Sequence, residues 1–185
     1  MLTLEFLAEF KKLTEQRWSR QSIDPKLSGF QFQRGTRWNP GLSDPEITLY
    51  ENTLGLRLPH DFRAFLRIMN GTDTPMVNVY ASRGEPRGFS TGVYSFPRDM
   101  EIIRLRIDDV RERKGEIMAD LREQGFFVPA AADLVPIYSH RYLMCTADLD
   151  QSVVFSIYVP SMDSIVYGTS LQEYLQREFL GDLQD

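Results

Sequence analysis

The chain predicts an α+β fold: one antiparallel sheet of about five or six strands packed by N-terminal helices, a long charged helix and a C-terminal helix. Two observations carry this. Helical periodicity is gathered before and after a run of short β-branched and aromatic segments joined by turns, an order that suits α+β rather than alternating α/β. Several helices also announce their own ends through capping residues.

From Thr3 to about Arg17, apolar residues at Phe6, Phe10 and Leu13, widened by Leu4 and Leu7, follow helical spacing. Residues 21–42 are rich in Gly, Pro, Ser and Gln and read as loop, with one short strand around Phe30 to Gln33. A second helix opens at Ser43-Asp44-Pro45-Glu46, a capping box with proline in the first turn. Ile47, Tyr50 and Leu54 form its apolar face, and Gly55 ends it. The stretch "LPHDFRAFLRIMNG" then specifies a third helix. Pro59 starts it, Phe62, Phe65, Leu66 and Met69 recur at i, i+3, i+4 and i+7, and Asn70-Gly71 supplies a left-handed C-cap.

The middle turns to strands, "MVNVYAS" (Met76 to Ser82) and "GVYSF" (Gly92 to Phe96), around a Gly/Pro loop. Arg98 to Glu123 reads as a charged helix lying across the domain. Its narrow apolar stripe is Ile103, Ile107, Val110, Ile117, Met118 and Leu121, and Gly115 is a possible kink. "LVPIYS", "RYLMCTA", "SVVFSIY" and "SIVYG" follow as an antiparallel meander. Ser170 and Glu173 form another capping box, opening a last helix through Leu171, Leu175 and Phe179.

At 185 residues, 42% hydrophobic and 25% charged, the composition is that of an ordinary soluble globular chain. No apolar run reaches the length of a membrane span. Glu5 and Glu9 among the first apolar residues argue against a secretory leader. The single cysteine, Cys145, excludes an internal disulfide and a multi-cysteine metal site. These features favour the cytosol.

A net charge of −5 argues against nucleic acid as a direct ligand. From Asp148 to Asp185 there are seven acidic residues and one base, Arg177, a bias that would attract a basic partner. The exposed carboxylates expected nearest the strand turns, Asp148, Asp150 and Asp163, are therefore the candidate partner-binding residues. The plainer reading is a solubilising surface.

Candidate chemistry is sparse. "GFSTG" (Gly88 to Gly92) matches G-x-S-x-G, but a nucleophile elbow needs a strand before the serine and a helix after it. Here a loop precedes Ser90 and a strand-like segment follows, so a hairpin loop is the better reading. A small hydrolase using Ser90 or Cys145 with His140 is the third functional alternative. His140 and Cys145 are five apart on an apparent strand, which places them on opposite faces, and Cys145 reads as a buried hydrophobe. Two isolated histidines, His60 and His140, do not make a metal site, and no cofactor motif is present. Trp38 is either a core plug, the favoured reading, or an exposed anchor.

The run from Trp38 to Gly71 has the cadence W-x-x-G-L-S-x-x-E-I-x-x-x-E-x-x-L-G-x-x-L-P-x-D-F-R-x-F-L-x-x-x-N-G. It resembles the N-terminal signature of the SUKH superfamily, which includes yeast cell-wall synthesis regulators. The strand region and closing helix, to Phe179, resemble the same family. The signature positions are Trp38, Gly41, Glu51, Gly55, Pro59, Asp61, Asn70 and Gly71. The resemblance implies an N-terminal helix and loop extension at 1–37, a SUKH-like domain at 38–185, and no catalysis or cofactor. It implies a bacterial immunity protein that binds and neutralises a toxin, often a nuclease, with a regulatory scaffold as the alternative.

Overall fold

In a computed structural model of the chain, the described residues are 2–80, 85–158, 161 and 163–181. They form an α+β fold of six helices and nine strands. The strands divide into three antiparallel sheets, where the sequence suggested one.

The first helix, α1, spans Leu4–Arg20, with Thr3 as N-cap accepting from the Phe6 N–H. Its buried stripe is Leu7, Phe10, Thr14 and Trp18, while Leu4 is exposed. The helix is therefore rotated relative to the Phe6/Phe10/Leu13 stripe expected. Trp18 in its last turn is the reason, because it packs on Trp38 at 5.3 Å and stacks on Phe32 at 4.5 Å between ring centroids. A short strand β1, Gly29–Gln31, follows, and then β2, Trp38–Pro40. The sequence hid β2 inside a loop, since three residues ending in proline carry no alternation to detect.

Helix α2 spans Asp44–Leu54. The Glu46 carboxylate accepts from both the N–H and the hydroxyl of Ser43, and Gly55 closes the helix in the left-handed conformation. Helix α3 spans His60–Ile68, with Phe62, Phe65 and Leu66 buried beside Met69. The expected Asn70-Gly71 helix cap is not formed. Met69 is already extended, and Met69–Thr72 becomes strand β3, paired with β2. Tertiary pairing takes these residues before a local cap can. Gly71 does have positive φ, +70°, but for another reason. A Cβ there would stand 2.6 Å from the Val93 carbonyl oxygen and 2.7 Å from that of Tyr94.

Strand β4, Met76–Tyr80, lies between β1 and β5, Glu85–Ser90. Residues 85–90 were expected as loop, whereas "GVYSF" is not a strand: Val93 makes a single bridge to Tyr138. Ala81 and Ser82, expected at the end of the β4 segment, fall outside the described residues, as do Asp182 and Asp185 of the acidic bias.

The charged segment is two helices, α4 (Met100–Glu112) and α5 (Lys114–Glu123). The break is at Arg113, not Gly115, which falls inside the first turn of α5. It redirects the chain from β6, which α4 contacts, to β9, which α5 contacts. These belong to the expected meander of β6 (Asp133–Tyr138), β7 (Arg141–Cys145), β8 (Val154–Tyr158) and β9 (Asp163–Gly168). Helix α6, Leu171–Leu180, closes the fold. The Ser170 hydroxyl accepts from the Glu173 N–H, but the Glu173 carboxylate reaches back to Thr169.

Both faces of the meander are buried, because side chains alternate across each strand. Val135, Leu143 and Val154 sit in one register row and enter a large core with α1, α2, α3 and α6. Tyr142 and Phe155 pair in another row and face a second core with Val110, Ile117 and Leu121. Helix α4 begins in the first core through Ile103 and Ile107 and ends in the second through Val110. The charged helices are thus the lid of the sheet's far face. Residues 1–37 contribute Leu7, Phe10 and Trp18 to the same core as Trp38 and Phe179.

Candidate binding groove

Several signature residues spend their polar atoms inside the fold. Glu51, 4% exposed, accepts from the Leu58 N–H at 2.9 Å and from Arg63 at 2.6 Å, with Arg57 at 3.4 Å. It fixes the α2–α3 turn, and its buried charge is matched by Arg63. Asp61 accepts from the Leu2 N–H and from the Ser152 hydroxyl, tying the N-terminus and the β7–β8 connection to α3. Trp38 is buried and donates its indole N–H to Thr14 at 2.7 Å, which settles its place as a core plug. Gly41 lets the backbone entering α2 press on the last turn of α3, since a Cβ would overlap the Arg67 carbonyl. Pro59, the N-cap residue of α3, is buried.

The hydrolase candidates are not assembled. Cys145 closes β7 at the end away from His140, about 15 Å of extended chain. It is buried, and burial pushes its thiol above the ordinary range, as an inert core cysteine requires. His140 lies in the β6–β7 turn rather than on a strand; its Nδ1 is 3.1 Å from the Ser139 hydroxyl. Burial first, then Arg141 and Arg106, push its pKa down to about 4. Ser90 ends β5, and its hydroxyl donates to the Thr91 carbonyl, not to an imidazole. His60 is exposed. Among the described residues no three His, Cys, Asp or Glu side chains converge as a metal site.

The three carboxylates chosen for a partner are exposed but not brought together. Asp148 and Asp150 lie in the β7–β8 connection, where the Asp148 carboxylate accepts from the Asp150 N–H. Asp163 opens β9 opposite Tyr158, at the other end of β8, roughly 15 Å away along the strand. It accepts from the Ser161 hydroxyl.

The sequence missed a groove of about 650 Å³ between the end of α1, β1 and the end of α6. That volume falls in the range of ligand pockets. Its floor is aromatic: Phe32 stacks between Trp18 and Tyr138, and Phe179 meets Trp18 edge-on at 6.4 Å. The walls are held by hydrogen bonds. Gln21 donates to the Phe32 carbonyl, Gln31 anchors both backbone groups of Asp24, and Arg17 donates to the Phe179 carbonyl. Leu27 and Phe30 stand exposed on the rim, at 61% and 40%.

Glu178 lines the same groove. Its carboxylate accepts from Arg141 at 2.9 Å, and Arg141 also donates to the Ser156 hydroxyl. Arg141 and Arg177 both lie against the Tyr167 ring, at 3.9 and 4.7 Å. Burial works against the Arg141 charge, but Glu178 and the neighbouring tyrosines outweigh it, so its pKa rises. Burial also raises the phenols of Tyr138 and Tyr174 well above the usual range. The groove lining contains no histidine or cysteine. Its chemistry is shape and apolar contact, with the half-buried Arg141–Glu178 ion pair at its edge.

No family model, no curated protein and no solved structure matches the chain. No described helix is long and apolar enough to cross a membrane.

Proposed function

We propose that the chain is a protein-binding domain, and specifically a cytosolic immunity protein that binds and neutralises a cognate toxin, often a nuclease. The observation that carries this reading is the aromatic groove with Leu27 and Phe30 exposed at its rim. Such a surface accepts an anchor side chain of a partner and offers no nucleophile–base pair. The likeness of residues 38–71 to the SUKH signature supports the same class, and the internal hydrogen bonds of Glu51, Asp61 and Asn70 suit a frame whose specificity lies elsewhere. The acidic turns at Asp148, Asp150 and Asp163 suit a basic partner, though at two separate places.

The alternative within the binding class is a regulatory scaffold of the cell-wall-synthesis type, which would take many partners. Capture of partners from the native lysate, read together with the neighbouring reading frame, decides between them. One basic toxin domain encoded next door and recovered in stoichiometric amount supports immunity. Several unrelated partners and no adjacent toxin support the scaffold. Retained capture by a Trp18→Ala, Phe30→Ala double variant, with the fold intact, would remove the groove from either account.

A further inference from the structure

We propose that the aromatic groove holds a tyrosine side chain of the partner protein, with the tyrosine hydroxyl bonded to Glu178 and to the Tyr138 hydroxyl. This rests on the reading of the groove as a docking surface and names the residue that anchors there.

The floor selects a ring. Trp18 stacks on Phe32 at 4.5 Å and Phe32 on Tyr138 at 6.1 Å, with Phe179 edge-on to Trp18. A flat guest gains both apolar burial and ring contacts on such a floor. The charges select a neutral guest. The lining carries two bases, Arg17 and Arg20, and two acids, Asp24 and Glu178, so neither sign of ion gains a net field. Leu27 and Phe30 on the rim can close around the guest and keep water out.

Two polar atoms select a hydroxyl. Arg141 uses one oxygen of the Glu178 carboxylate, Oε2, at 2.9 Å, and among the described residues nothing bonds the other, Oε1. Tyr138 is 6% exposed and lines the same groove, yet its hydroxyl makes no hydrogen bond among the described residues. After burial itself, the Glu178 charge bears most on that phenol, so the two groups face one region. Glu178 can only accept, whereas the Tyr138 hydroxyl can donate. A second phenol answers both, because its O–H donates to Glu178 while its oxygen accepts from Tyr138. An indole N–H or an ammonium donates but cannot accept. A phenylalanine or leucine would take water from both atoms and return no bond. A site built to bond a hydroxyl rejects the analogue that lacks it.

The test is NMR titration of the full chain, read at the Trp18 indole N–H, with four probes of the anchor. They are p-cresol for tyrosine, toluene for phenylalanine, 3-methylindole for tryptophan and n-butylammonium for lysine. The expected result is a saturable shift in which p-cresol binds about tenfold tighter than toluene, and tighter than the other two, as one charge-assisted hydrogen bond provides. Tyr138→Phe removes the hydroxyl and keeps the ring. It should leave the melting temperature and toluene binding unchanged, and reduce the p-cresol preference several-fold. Glu178→Gln should reduce that preference as well, with toluene binding again unchanged. No preference for p-cresol overturns the proposal, as does a preference that survives both substitutions, tighter binding of 3-methylindole or n-butylammonium, or no saturable shift with any probe. Equal binding of p-cresol and toluene, with lysate capture lost in the Trp18→Ala, Phe30→Ala variant, overturns the tyrosine alone and leaves the groove as the docking surface. Capture retained in that variant removes the groove itself.

Discussion

The side chain of Asn70 makes both backbone hydrogen bonds of Phe96: its Nδ2 donates to the Phe96 carbonyl at 2.6 Å and its Oδ1 accepts from the Phe96 N–H at 2.9 Å. The amide of one residue thus stands in for a partner strand. Both residues are buried, so water has little room to replace either bond. Asn70→Ala leaves a donor and an acceptor unpaired, and should cost about 2–6 kcal/mol at roughly 1–3 per group. Urea unfolding with an unchanged m-value measures it. A loss below about 1 kcal/mol would mean that solvent enters behind β3.

Phe65 lies on Trp38 edge-to-face at 5.7 Å and stacks on Phe62 at the same distance. Truncation to Ala empties the centre of the larger core and should cost about 3–5 kcal/mol. A change under about 1 kcal/mol would place this helix face outside the core.

Gly71→Ala tests a different force. Positive φ and the approach of the Val93 and Tyr94 carbonyls both oppose a methyl group. The gain from a stiffer unfolded chain, about 0.4–1 kcal/mol, should therefore be outweighed and the melting temperature should fall. An unchanged or higher melting temperature contradicts the close packing of this backbone.

His140 gives the chain a pH dependence with a definite sign. Its folded pKa of about 4 lies below the unfolded value near 6.5, so the unfolded chain takes up the extra proton first. The stabilising contribution is complete above about pH 6.5, is lost as pH falls toward about 4, and changes no further below that. His140→Gln should flatten the stability curve across this window. Parallel curves for the two proteins would show that the imidazole is not desolvated.

The acidic turns call for separate variants, because the structure parts them. Under the proposed function, Asp148→Asn with Asp150→Asn, and Asp163→Asn alone, probe two ends of the sheet. The end that meets a basic partner should lose association rate and salt dependence while the fold stays intact. Wild-type rates for both variants at low and moderate salt would remove these turns from recognition.

Much of the fold was legible in the sequence because its signals are local. The Ser43–Glu46 box, the Phe62/Phe65/Leu66/Met69 spacing and the four β-branched segments each state their own structure within a few residues. What was hidden depends on distant partners. Nothing near Asn70 indicates that Phe96 will take its amide, so a local cap was the natural reading. Trp38–Pro40 and Glu85–Ser90 become strands only because β3 and β4 lie beside them. The groove was illegible for the same reason, as Trp18, Phe32, Tyr138 and Phe179 are scattered along the chain and meet only after folding. A signal did exist in Trp18, which continues the Leu7, Phe10 and Thr14 spacing by one further turn.

Phe10 packs on Phe179 at 5.7 Å, and Arg17 holds the Phe179 carbonyl across 162 residues of chain. Helix α1 is therefore completed by α6, which is made much later. Until α6 emerges, the Phe10 and Trp18 rings lack one side of their packing, and this aromatic face is open to chaperones or to neighbouring nascent chains. Contacts of such long sequence separation make closure slow, because chain entropy is lost before the apolar gain is collected. A helix made early must stay uncovered until its distant partner is made.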